Sequence, residues 1–240
     1  MPGPAWRVLA AVLVLCFLSA PRKAASAPEK PGALKPMSDK ERDELMARLE
    51  TNLAKLKSLR TRFVQEKHLA IFAEVVEAKG VLLFRKPDMV RFEMTSPFQS
   101  VLIARGRGVS KYERIKGRWR RMKLRNADLV GMITQEIAGW MRGRLRAMGG
   151  RYELSALKGK ETVIRLRPKS PEFRKHIAAI ELGIAPGAKG IATVTIREPG
   201  ADFTRLRFYD QRHDLALPLA LFEGSGEEPA ALPALAEKSK

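Results

Sequence analysis

Between Gly80 and Ser110 the chain has little choice of structure: GVLLFRKPDMVRFEMTSPFQSVLIARGRGVS. Val90, Phe92 and Met94 alternate with Arg91, Glu93 and Thr95, the period of a strand with one dry face and one wet face. Lys86-Pro87-Asp88 comes before this strand and Ser96-Pro97 after it. Proline fixes φ and removes an amide donor, so a hydrogen-bonded ladder must stop at each. The segment therefore reads as strand, turn, strand, turn, strand.

The same pattern continues downstream. Short runs rich in Val, Ile, Phe and Leu recur at 61–68, 75–84, 89–95, 99–105, 109–115, 118–124, 151–157, 161–167, 177–184, 191–197 and 203–209, broken by Gly, Pro and charged turns. Strands this short and closely spaced, mostly without helices between them, predict an antiparallel meander. Two helices interrupt it. Ser38-x-x-Glu41 is a capping box, and Leu45, Leu49, Leu53, Leu56 and Leu59 follow as one apolar stripe, predicting a helix over 39–59. Asn126–Met148 carries Leu129, Met132, Ile133, Ile137, Trp140, Met141, Leu145 and Met148 at helical spacing ahead of Gly149-Gly150. Two helices cannot cover both faces of so many strands. The fold class expected is α+β: a single curved antiparallel β-sheet, an unclosed half-barrel, with helices covering its concave face.

The N-terminus bears on compartment. After Arg7 comes an apolar run from Val8 to Ala20, then small residues at Ala24, Ala25, Ser26 and Ala27. A membrane-spanning helix needs about 20 apolar residues, and this run is shorter, so residues 1–27 read as a secretory signal peptide. An uncleaved anchor is the alternative. Residues 28–37 read as a flexible leader, 38–223 as the folded domain, and the polar stretch 224–240 as a disordered tail. Cys16 is the only cysteine and lies in the signal, so the mature chain has no thiol for disulfide, metal or redox chemistry. Without residues 1–27, 42 basic residues face 26 acidic ones. For an exported chain this charge points to anionic partners such as a phospholipid surface, and away from nucleic acid. The stretch 105–151 holds fourteen basic and three acidic residues.

Nothing in the chain reads as catalytic. His68, His176 and His213 are scattered, without a second ligand at metal spacing, and G-x-S-x-G, H-E-x-x-H and P-loop motifs are missing. No enzyme activity, cofactor or metal is expected.

Several motifs resemble the LolA family of periplasmic lipoprotein carriers. They are Phe63-Val64-Gln65 after the first helix, Phe84-Arg85-Lys86-Pro87, Met94-Thr95-Ser96-Pro97, Leu102-Ile103-Ala104-Arg105-Gly106-Arg107 and Leu166-Arg167-Pro168-Lys169. The resemblance is strongest over 59–112. It implies a periplasmic location in a Gram-negative cell and a monomer whose cavity, between half-barrel and helical lid, takes acyl chains. The implied cargo is acylated lipoprotein, received from an inner-membrane release complex and passed to an outer-membrane acceptor. Another lipid (glycolipid, polyene or phospholipid) is the alternative cargo for a carrier or sensor. On this footing the expected cavity residues are Phe63, Leu83, Val90, Phe92, Met94 and Leu102 on strands, and Leu129, Met132, Ile133, Ile137, Trp140 and Met141 on the lid. Lys86 stands where the family has an arginine that latches the lid, and Arg85 is its possible substitute. Lysine cannot fork to two carbonyls as a guanidinium does.

Overall fold

The fold is that of a computed structural model, which describes residues 34–71, 74–106, 108–124 and 127–232, with 127–133 as backbone only. The segment read as an export signal lies outside them. Helix α1 (Asp39–Lys55) starts as expected: the Ser38 hydroxyl accepts from the Glu41 amide, and the Glu41 carboxylate accepts from the Ser38 amide. It buries Leu45, Met46, Leu49 and Leu53 and then stops, because Leu56 is extended. Leu59, expected on this helix, belongs to the first long strand, so the apolar stripe continues through a change of structure.

Among the described residues twelve strands form one antiparallel sheet: β1 (Lys35–Pro36), β2 (Ser58–His68), β3 (Val76–Arg85), β4 (Met89–Ser96), β5 (Ser100–Arg105), β6 (Gly108–Ile115), β7 (Arg118–Met122), β8 (Tyr152–Lys158), β9 (Thr162–Pro168), β10 (Ala179–Ile184), β11 (Ile191–Arg197) and β12 (Phe203–His213). The spatial order is β1-β8-β9-β10-β11-β12-β2-β3-β4-β5-β6-β7. β1 and β7 are therefore two separate edges, and the curved sheet is an unclosed half-barrel with helices on its concave face. Helix α2 (Ala127–Met141) follows β7, and the single turn α3 (Pro171–Arg174) follows β9. The second helix was expected to reach Met148. It ends near Gly143, whose φ of +71° takes the backbone out of helical geometry, and a short 3-10 turn occupies Arg146–Gly150.

Both faces of the sheet are buried over β3–β5. On the inner face Phe63, Leu82, Phe84, Val90, Met94, Ile164, Leu182 and Leu206 form one core with Leu49 and Leu53 of α1 and Trp140 and Met141 of α2. On the outer face Val81, Leu83, Met89, Val101, Ile103 and Tyr112 lie under Leu217, Leu221 and Phe222 of the C-terminal segment. Polar groups fasten that segment through its carbonyls. Ser58 Oγ donates to Leu215 O (2.6 Å), Arg85 Nη1 to Leu217 O (2.8 Å), and Arg91 Nη1 to Leu221 O (3.0 Å). Further along, Ser110 Oγ donates to Gly224 O (2.8 Å) and Tyr112 Oη to Gly226 O (2.9 Å). Residues 224–232 were expected to be disordered. They instead continue this strap, with Ala230 and Leu232 packed on the outer cluster, because fixed donors on the sheet hold a backbone that has few apolar side chains. Residues 233–240 lie outside the described part.

Candidate functional site: an apolar cavity under a helix

Period-two alternation sends every second residue of each strand to the inner face, and register aligns them in rows. Leu82 stands opposite Phe92, Leu206 opposite Val194, and Ile180 opposite Ile196. These rows do not meet the helices everywhere. Between them lies a small cavity of about 60 Å³, open to solvent on one side. Leu82 and Phe92 wall it from one half of the sheet; Ile180, Ile191, Val194, Ile196, Leu206 and Phe208 wall it from the other. Ile137, Trp140 and Met141 of α2 cover it, and Tyr152, Phe173 and Ile177 add to its apolar lining.

Two carboxylates interrupt this apolar wall. Glu136, on the covering helix and 6% exposed, pairs with Arg151 at 2.9 Å. Burial pushes its carboxyl up from the ordinary range, and the guanidinium offsets only part of that. Burial also raises the neighbouring Tyr152 hydroxyl, and the charge of Glu136 adds to the effect. On the opposite wall Glu198 pairs with the buried ammonium of Lys67.

The helix ends are fastened at the β3–β4 turn. Lys86 Nζ donates to the carbonyl of Ala54 in the last turn of α1, where a cation also meets the negative end of the helix dipole. Arg142, just past α2, donates to Pro87 O at 3.2 Å. Gly143 packs so closely on α1 that a Cβ there would sit 2.5 Å from Glu50 O. Arg146 closes the group with an ion pair to Glu50.

Of the residues expected at the cavity, Phe92, Ile137, Trp140 and Met141 line it. Phe63 stands behind them, its ring stacked on Phe92 with centroids 4.3 Å apart, and Val90 and Met94 belong to the same inner core. Leu102 is half-buried opposite Phe92 in the β4–β5 register. Leu83 is a correction: it faces the outer side, since it is one step out of phase with Leu82. Arg85 is another, because the same alternation turns it outward to Leu217 O, away from the helices that Lys86 reaches. Leu129, Met132 and Ile133 lie on α2, and their side chains fall outside the described residues. The wall from β10, β11 and β12, with Glu136, Tyr152 and Glu198, was not anticipated. Glu136 had a signal, four residues before Trp140 on the apolar side of the helix.

The family described as Outer membrane lipoprotein carrier protein LolA matches residues 54–225. An outer-membrane lipoprotein carrier protein from Pectobacterium carotovorum subsp. carotovorum (strain PC1) is 26% identical over 111 residues, which are 45% of this chain and 55% of that protein. The carrier protein from Serratia proteamaculans (strain 568) is 25% identical over the same shares. The chain thus spans about half the length of the curated relatives it matches. Among solved structures, a LolA superfamily protein from Nitrosomonas europaea aligns over 76% of this chain and 97% of its own, with 10% identity and a TM-score of 0.41.

Proposed function

The chain belongs to the LolA family of outer membrane lipoprotein carrier proteins, and from that premise we propose that it is a periplasmic carrier that shelters lipoprotein acyl chains and delivers them toward the outer membrane. The observation that carries this reading is the cavity between the inner face of the sheet and α2, whose lining is apolar apart from a few groups. Each CH₂ of an acyl chain left in water costs about 0.8 kcal/mol. A carrier must cover that surface and yet release it, and a sheet roofed by a separately fastened helix supports both. Lys86, with Arg142 and Arg146 beside it, acts in this reading as the latch that holds the helix ends over the cavity. The work is binding and handover, with no catalytic step.

The test is loading of a fluorescent acyl probe, followed by a chase with acceptor vesicles. Ile137→Glu puts an unpaired charge in the cavity wall and is expected to weaken loading at least tenfold, since burying an unpaired charge is costly. Loading equal to wild type would remove α2 from the cavity and sink the reading. The second reading is the same cavity serving another lipid, and Glu136 and Glu198 favour a hydroxyl-bearing cargo such as a glycolipid. Mass spectrometry of the lipid that co-purifies from the native cell separates the two.

A further inference from the structure

Alternate turns of an antiparallel meander fall at the same end, so the β2–β3, β4–β5 and β6–β7 connections share one rim. Ile115, at the end of β6, is 40% exposed on that rim, and Ile71 of the β2–β3 connection is 84% exposed. Around Ile115 runs Arg114-Ile115-Lys116-Gly117-Arg118-Trp119-Arg120-Arg121-Met122-Lys123, with six basic residues and no acidic one. All six are exposed. Among the described residues none of them pairs with a carboxylate. Arg114 donates to Gln99 Oε1 (2.9 Å) and Gly117 O (3.1 Å), and Arg121 to Ser110 Oγ (3.2 Å).

The hairpin is well held. Lys116 and Gly117 take φ of +50° and +81°, the left-handed pair of a two-residue turn that suits strand twist. Its tip stands beyond β5, whose ladder with β6 stops at Glu113. Basic residues on an edge strand also discourage pairing with another sheet, which accounts for the charges of β7. It does not account for an isoleucine that is 40% exposed amid the charges at the tip. Cations around an exposed apolar residue suit one surface in particular: headgroups attract the charges and the acyl boundary receives the side chain.

We propose that the β6–β7 hairpin docks this protein on anionic phospholipid bilayers, with Ile115 entering the interface and the arginines and lysines of 114–123 meeting the headgroups. A nucleic acid would match the charges but gain little from Ile115, and an acidic protein is the alternative that the experiment below separates. As the place of cargo handover, the hairpin rests on the carrier reading above. Docking itself is measured on unloaded protein, so the two fail separately.

The experiment is flotation of the purified, unloaded protein with phosphatidylglycerol–phosphatidylcholine vesicles and with pure phosphatidylcholine vesicles. Binding is expected on the anionic vesicles alone, falling steeply with salt as screening shortens to about 8 Å at physiological ionic strength. Arg118→Gln with Arg120→Gln should lower affinity about fivefold per charge removed. Ile115→Asp should lower it about tenfold, with melting temperature and acyl-probe loading unchanged. Equal binding to neutral vesicles overturns the proposal. So does wild-type affinity in Ile115→Asp, or capture by nucleic acid or an acidic protein while vesicles are ignored.

Discussion

Gly80 pairs with Phe63 across the β2–β3 ladder, and a Cβ there would strike the Phe63 ring and the Glu93 carbonyl. Gly80→Ala is expected to cost about 1–3 kcal/mol, as overpacking does, and urea denaturation reads it directly. Glu136 predicts the opposite sign. Burial raises its carboxyl above the ordinary carboxylate range of the unfolded chain, so stability is fully present below that range and is lost as pH rises through the raised value. Glu136→Gln should therefore melt higher than wild type at pH 7, and the two melting curves should converge toward pH 4. Lys86→Arg should tie α1 more firmly, because a guanidinium can fork to two carbonyls; a slower chase of acyl probe into vesicles is the readout, and an unchanged rate removes the latch role. Phe92 was legible from the alternation of its strand, and Ile137, Trp140 and Met141 from their helical spacing. Leu83 was not, since a strand buried on both faces has no polar alternation to show which side is inner.

Elements were legible where period and punctuation coincide, as in the strands between Val76 and Arg105. The strap over 215–232 was invisible for a physical reason: it is held by carbonyls, which every residue carries, and its partners lie more than a hundred positions away in sequence. Its anchor is Arg91, buried at 1% exposure between the Glu93 carboxylate at 2.6 Å and Leu221 O. Arg91→Ala would leave the buried Leu221 carbonyl and the half-buried Glu93 carboxylate without this donor, a loss of about 1–3 kcal/mol, to be measured by thermal or urea unfolding. A chain ending at Asp214 should bare Val101, Ile103 and Tyr112, bind an apolar dye and aggregate. If that truncated chain melts like wild type without dye binding, the outer cluster contributes nothing.

At the scale of the whole molecule the sheet is two meanders, β2–β7 and β8–β12, with β1 beside β8. Their shared seam is the pairing of β2 with β12, where Phe63 faces Phe208 across 145 positions of chain and Gln65 faces Leu206. The cavity straddles this seam, since Leu82 and Phe92 come from one meander and Leu206 and Phe208 from the other, so the motifs clustered over 59–112 mark only half of its wall. The seam also dictates an order of assembly. Each meander is built from neighbouring hairpins that close short loops, whereas the seam must close most of the chain. In pulsed hydrogen exchange the amides across β2–β12 should gain protection last, after those within β3–β6 and β9–β11. A chain delivered N-terminus first presents the free edge of β2 until its final strand arrives. For that interval the newborn chain is an open sheet whose apolar inner face stands uncovered.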